Sequence, residues 1–254
     1  MSSQQPTVLI TGAATRIGAA LALGLAKDGW AIALHYHGSA AAADQTAQTI
    51  ADAGAKVALV QADLSDEAQT AGLIAQASNK LGPLTCLINN ASVFEHDDFT
   101  TATSDSWHKH MSVNLRAPFL LTQAFANQLP DGEHGCIINL IDQRVWKLTP
   151  EFASYTLSKA ALWTMTQTAA QALAPNIRVN AIAPGPTLKS ERQSEKNFAQ
   201  QVAATPLQHQ PSLDDFVGAM NFILASSSLT GQMIALDGGQ HLAWKTPDVV
   251  GVDE

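Results

Sequence analysis

Tyr155 and Lys159 are of types, and at a spacing, that could do chemistry. Set four apart, they share one face of a helix, one turn from each other. A phenol with a pKa of ~10 is a weak acid at neutral pH. A cation beside it favours the phenolate and brings proton transfer toward working pH. A surface tyrosine with a solvated lysine would have the same spacing. Position argues for chemistry: the pair follows an apolar stretch ending at Ile141-Asp142 and opens a helix rich in small residues, Ala160, Ala161, Ala169 and Ala170.

A second feature lies near the other end of the chain. Val8-Leu9-Ile10 runs through Thr11-Gly12 and Arg16-Ile17-Gly18 into an Ala/Leu helix reaching Lys27. Glycine lets a backbone approach a phosphate, and a helix N-terminus offers free N–H groups and a positive dipole end. A strand before two such glycines and a helix after them suit a dinucleotide-binding turn.

With these residues in view, the chain resembles a short-chain dehydrogenase/reductase from end to end. The resemblance rests on Thr11-Gly12 with Gly18, Asp63-Leu64, Asn89-Asn90-Ala91, Asn114, Tyr155 with Lys159, Pro184-Gly185 and Asp237-Gly238-Gly239. Four departures are similar to the pteridine reductases. Arg16 stands where the wider family usually has glycine, and Asp142 where it has its serine. Ser92, followed by Phe94, replaces a glycine, and His35-Tyr36-His37-Gly38-Ser39 ends the second strand.

The resemblance implies roles. Tyr155 would be the proton donor, with Lys159 lowering its pKa and holding the nicotinamide ribose. Asn114 would kink its helix and anchor a water that relays protons to Lys159. Gly12, Arg16, Ile17, Tyr36, His37, Ser39, Asp63, Leu64, Asn90, Ala91, Ser92, Pro184, Gly185 and Thr187 would line the cofactor site, with Asp63-Leu64 at the adenine and Thr187 by the carboxamide or pyrophosphate. Arg16, Ser92, Phe94, Asp142 and Tyr155 would meet the substrate, Phe94 and the nicotinamide sandwiching a flat ring.

Three alternatives stay open from the residues alone. Asp63 could cap a helix, Asp142 could cap or pair locally with Arg144, and Arg16 could be a solvated loop residue. An isolated Phe94 would read as core, but it lies past the expected buried run.

The end of the second strand lacks the acidic residue that would accept ribose hydroxyls. Arg16, His37 and Ser39 could instead meet a 2′-phosphate, so the expected cofactor is NADPH (NADP). Gly38 stands where related reductases commonly have arginine, leaving Arg16 as the main cation. Asp142 carries a separate chemical argument. An ionised carboxylate only accepts hydrogen bonds, and beside a reacting carbonyl it would oppose developing negative charge. It suits an N-heterocycle with N–H donors and a reducible C=N bond.

The elements that must position these residues alternate. Apolar strands read at Val8–Thr11, Ala31–Tyr36, Val57–Ala62, Cys86–Asn89, Cys136–Ile141, Ile177–Ile182 and Met233–Leu236. Helices read at Ile17–Asp28, Ala40–Ala53, Glu67–Lys80, Trp107–Gln128, Phe152–Leu173 and Leu213–Leu224. Continuous apolar strands are those covered on both faces. The expected fold is α/β: one Rossmann-like, doubly wound parallel sheet of about seven strands with helices on both faces. Residues 1–254 form a single domain, with a core at 6–188, a polar substrate-covering segment at 189–212 and a C-terminal tail at 240–254.

Bulk properties limit partners. The 254 residues carry a net charge of −8, which argues against nucleic acid and anionic membranes. Only 14% are charged, below the ~25% of average chains, which suggests surface buried between subunits. No apolar run nears the ~20 residues of a membrane span, and no secretory signal is apparent. Cys86 and Cys136 read as reduced core thiols. The eight histidines lack metal-ligand spacing, and His108 with His110 reads as a solvated helix face.

The whole predicts a cytoplasmic homotetramer that reduces a small molecule: a pterin, or dihydrofolate, by hydride transfer from nicotinamide C4. A carbonyl reductase is the alternative within the family. A non-catalytic dinucleotide sensor is the alternative of another class.

Overall fold

The computed structural model describes residues 5–190, 193–246 and 250. Seven parallel strands form one sheet: β1 (Thr7–Ile10), β2 (Ala31–Tyr36), β3 (Val57–Gln61), β4 (Cys86–Asn89), β5 (Gly135–Leu140), β6 (Ile177–Pro184) and β7 (Met233–Leu236). Their spatial order is β3-β2-β1-β4-β5-β6-β7. The order reverses between β1 and β4, whose register pairs Leu9 with Leu87. A ligand crevice opens at such a reversal, beyond the carboxyl ends of the strands.

Pleating sends alternate residues to opposite faces, and both faces are apolar. Val8, Ile10, Ile32, Leu34 and Ile88 pack on one side against α1 (Arg16–Lys27), α2 (Ala40–Asp52) and α8 (Leu213–Ala225). Leu9, Ala33, Leu87 and Ile137 pack on the other against α3 (Glu67–Leu81) and α5 (Ala117–Gln128). Two-sided burial explains why the strands read as unbroken apolar runs rather than alternating ones.

Two expectations need correction. The helix expected over Trp107–Gln128 is α4 (Ser104–Met111), a π turn at Ser112–Arg116, and then α5. Pro118 has no N–H to return to the Asn114 carbonyl four residues back, so the wider turn fits where the regular ladder fails. Within residues 189–212 the chain folds α7 (Glu195–Ala203), capped by the Ser194 hydroxyl on the Asn197 N–H. His110 is no surface residue: it is fully buried, whereas His108 bonds the Ser104 carbonyl on the outside. The helix that carries Tyr155 and Lys159 is α6 (Ala153–Leu173).

No helix among the described residues is long and apolar enough to cross a membrane. Within the tail, residues 247–249 and 251–254 lie outside the described residues.

Candidate active site

The loops at the carboxyl ends of β1, β4, β5 and β6 surround one cavity of about 890 Å³. Its floor is the glycine turn between β1 and α1. A Cβ on Gly18 would lie 2.4 Å from the Gly12 carbonyl oxygen and 2.6 Å from Asn90 Nδ2. Gly12 itself has φ +63° and abuts Ala91. Thr11 Oγ1 accepts the N–H groups of Asn90 and Ala91, and Asn90 Nδ2 donates to the Thr11 and Gly12 carbonyls. The turns after β1 and β4 are therefore one bonded unit. The first turn of α1 holds no acidic side chain and its N-cap, Thr15, makes no side-chain cap, so the helix end faces the cavity with its N–H groups. A cradle closed to any Cβ and an uncapped helix N-terminus fit the pyrophosphate of a dinucleotide.

Arg16, at φ +56°, turns its guanidinium to the Leu188 and Lys189 carbonyls at 3.0 and 3.1 Å. The expected grouping of Arg16 with His37 and Ser39 is not assembled: Arg16 lines the cavity with two of its five N–H donors on these carbonyls, while His37 and Ser39 lie outside the lining. His37 instead faces Asp63, Nε2 to Oδ2 at 3.8 Å. Tyr36, Leu64 and Ser39 lie with them at the ends of β2 and β3, outside the cavity lining. Asp63 is not a helix cap either. It accepts from the Ser65 N–H and hydroxyl, and Asp66 caps α3.

Ser92 and Phe94 follow β4. The Asn114 amide grips this loop, accepting from the Val93 N–H at 2.8 Å and donating to the Val93 carbonyl and to Ser158 Oγ. The side chain of Asn114 thus ties the Phe94 loop to α6, while its π turn supplies the expected kink. Phe94 stacks on Phe152 with ring centres 4.4 Å apart and meets the Tyr155 ring edge-on at 4.6 Å. The Arg144 guanidinium lies 5.0 Å from the Phe152 ring centre.

Asp142 leaves the end of β5 and begins a short turn over Gln143–Val145. Its Oδ1 accepts the Arg144 N–H at 2.8 Å, and its Oδ2 accepts the Tyr155 hydroxyl at 2.8 Å. Lys159 Nζ donates to the Leu140 carbonyl at 2.7 Å. Burial pushes the Asp142 carboxyl up. Burial, reinforced by the Asp142 charge, holds the Tyr155 phenol well above its ordinary value. Burial lowers Lys159 to about 8, against the pull of Asp142. Lys159 does not bring the phenol down, as expected from spacing: its ammonium bonds a carbonyl, and the phenol's partner is an acid.

Pro184, Gly185 and Thr187 close the far wall, where a Cβ on Gly185 would lie 2.5 Å from Asp237. Asn197, Phe198 and Gln201 of α7, with Gln193 just before it, also line the cavity. The glycines, Arg16, Ile17, Asn90 to Ser92, Phe94, Asp142, Tyr155, Lys159 and Thr187 thus meet at one cavity. Phe152 was missed from sequence because it sits in left-handed backbone at φ +59°, which nothing in a phenylalanine announces. Among the described residues, no cluster could hold a metal ion.

The chain matches, over residues 12–241, the family model described as enoyl-(acyl carrier protein) reductase. It is 48% identical to FolM alternative dihydrofolate reductase 1 from Brucella suis, solved with NADP, covering 98% of this chain and 100% of that one with a TM-score of 0.94. The NADP complex of the Brucella canis protein of that name is 47% identical, covering 96% and 98%, with a TM-score of 0.91. An uncharacterized oxidoreductase of Methylorubrum extorquens is 36% identical over 91% of this chain and 96% of its own. A 3-oxoacyl-[acyl-carrier-protein] reductase of Staphylococcus aureus is 28% identical over 93% and 98%. The matched span, the parallel sheet and the glycine turn beside a Tyr/Lys helix agree: this chain belongs to the short-chain dehydrogenase/reductase family of oxidoreductases.

Proposed function

We propose that this protein is an NADPH-dependent pterin reductase, acting on a dihydropterin or oxidised pterin and on dihydrofolate. The observation that carries the reading is the Asp142 carboxyl bonded to the Tyr155 hydroxyl, with the Tyr155 ring edge-on to Phe94 of the stacked Phe94–Phe152 pair. An aromatic wall favours a flat heterocycle. A carboxyl group accepts from its N–H donors, and when protonated it donates to a ring nitrogen. The likeness to the Brucella dihydrofolate reductases, both solved with NADP, supports the substrate class and the cofactor.

The dinucleotide, held by Gly12, Ile17, Asn90 to Ser92, Lys159, Pro184, Gly185 and Thr187, would supply the hydride. Asp142 is the acid of the Tyr155–Asp142 pair. Its pKa is raised toward working pH, whereas the phenol's is driven away from it. Tyr155 stays protonated and orients the carboxyl by donating to Oδ2, while the proton that Asp142 gives to the ring nitrogen is replaced from water. Lys159 holds the Leu140 carbonyl and keeps a positive charge near the pair. Asn114 anchors the Phe94 loop.

Cytoplasmic location and a four-chain assembly complete the proposal. Free, buried Cys86 and Cys136 suit a reducing compartment. Exposed Trp107, Phe119 and Leu157 on α4, α5 and α6 suit subunit contacts.

The test is oxidation of NADPH with dihydrobiopterin, dihydromonapterin and dihydrofolate, for wild type and for Asp142→Ser and Tyr155→Phe. Turnover that collapses in both variants supports the reading. Cofactor binding without turnover rejects it and turns attention to ketones, the reading favoured by the 3-oxoacyl reductase relative.

A further inference from the structure

Helix α6 carries Tyr155 in its first turn, yet it does not cap itself. Phe152, at the N-cap, is in left-handed backbone and offers no side-chain bond. The cap comes from Asp97, on the irregular loop after β4. The Asp97 carbonyl accepts the Ala153 N–H at 3.1 Å, and its Oδ1 accepts the Ser154 N–H at 3.1 Å. A carboxylate there also faces the positive end of the helix dipole.

The same carboxylate gathers two more elements. Oδ2 accepts from the Ser154 hydroxyl and, at 3.0 Å, from the hydroxyl of Ser106 in the first turn of α4. His110, further along α4, completes the knot. Its Nε2 accepts the Glu95 N–H at 3.1 Å, which leaves the proton on Nδ1, 2.7 Å from Ser154 Oγ. Asp97 is 2% exposed, Ser154 1% and His110 0%, and none lines the cavity.

Serine, histidine and aspartate here have the composition of a hydrolytic triad in the wrong order. His110 donates to Ser154, and Ser154 donates to Asp97, so the serine has no base to activate it.

What the knot does is set a distance. Phe94 lies between Val93, pinned by Asn114, and Glu95, pinned by His110. Tyr155 follows directly on Ser154. We propose that Asp97 is a positioning residue: by capping α6 from the loop that carries Phe94, it holds the Tyr155 phenol against the aromatic wall of the substrate site. The functional part of this inference rests on Tyr155 serving the reaction proposed above.

The test uses the full chain with ring-labelled tyrosine. The sequence holds two tyrosines, Tyr36 and Tyr155. The Tyr155 NMR signal senses the ring of Phe94, so it reports position without any turnover. Asp97→Ala should move the Tyr155 signal and leave that of Tyr36 in place. With dihydrobiopterin, kcat should fall about tenfold or more while the KM for NADPH stays within about twofold, the split expected when proton-transfer geometry is lost but the cofactor floor is intact. Asp97→Asn keeps an acceptor for the Ser154 N–H and should recover part of kcat. Ser154→Ala, which leaves the backbone cap, should act in the same direction and serves if Asp97→Ala does not fold. An unmoved Tyr155 signal overturns the proposal, and so does a moved signal with wild-type kcat. Absence of pterin turnover in wild type would defeat the substrate reading instead, and the NMR signal would still decide whether Asp97 sets the phenol's position.

Discussion

The Tyr155 hydroxyl donates to Asp142 Oδ2 at 2.8 Å, so the phenol's immediate partner is a buried acid and not the lysine one turn along its helix. A phenol beside a cation becomes more acidic; a phenol beside a carboxylate becomes less so. In the proposed reaction the proton donor is therefore Asp142. Replacing Asp142 by Asn, which cannot release a proton, should lower kcat roughly a hundredfold or more. Tyr155→Phe should fall by a similar order, and the double variant little further, because the two act as one unit. Steady-state rates of the three variants check this.

Lys159 gives a pH signature. It is charged below about 8 and neutral above it, because burial disfavours the ammonium. Activity that needs the charge should decline through about pH 8 on the alkaline side. Stability should move the other way. Between about 8 and the ordinary lysine value of 10.5 the unfolded chain binds more protons, so this group's contribution to stability rises with pH. Rate profiles and urea midpoints from pH 7 to about 10 separate the two trends.

His35 governs the acid side. Its Nδ1 accepts the Gly12 N–H at 3.0 Å and its Nε2 donates to the Ala62 carbonyl at 3.1 Å, which requires a neutral ring. Burial lowers its pKa from 6.5 to about 4. Below 6.5 the unfolded chain binds the extra proton, so stability is lost as pH falls toward 4, by roughly 2 kcal/mol at pH 5. Denaturant titrations at pH 7 and 5 should show that loss in wild type and a smaller one in His35→Gln.

The glycine floor should tolerate no side chain. In Gly18→Ala the new methyl would lie 2.4 Å from a backbone oxygen, so α1 must shift. NADPH affinity, measured by nicotinamide fluorescence, should fall more than about tenfold. Gly72→Ala, whose nearest heavy atom is a flexible glutamine end 3.5 Å away, is the control and should bind normally.

Gly38 offers a gain. A Cβ there would meet nothing within 4 Å, and the residue follows His37 at the end of β2. Gly38→Arg adds a cation where Arg16 is already engaged with Leu188 and Lys189. The ratio of NADPH to NADH turnover should rise about tenfold, as a charge-assisted bond to a phosphate would give. An unchanged ratio would mean that the 2′-phosphate does not lie at this turn.

The sequence by itself determined the sheet, the order of its parts and most of the cavity. Unbroken apolar strands alternating with helices have few stable arrangements, and the glycines, Asn90, Asp142, Tyr155 and Lys159 fall at strand ends or helix starts because such folds gather loops there. Tertiary structure decided what each side chain is bonded to. Spacing put Lys159 beside Tyr155, but only the packed site gives the phenol to Asp142 and the lysine to Leu140. Charge singled out Arg16, but only the packed chain shows two of its donors on carbonyls from a segment 172 and 173 residues away. Phe152 and the Asp97–Ser154–His110 knot left no local pattern at all. Their roles arise from backbone in the left-handed region and from bonds spanning 44 to 57 residues, which a linear spacing rule cannot carry.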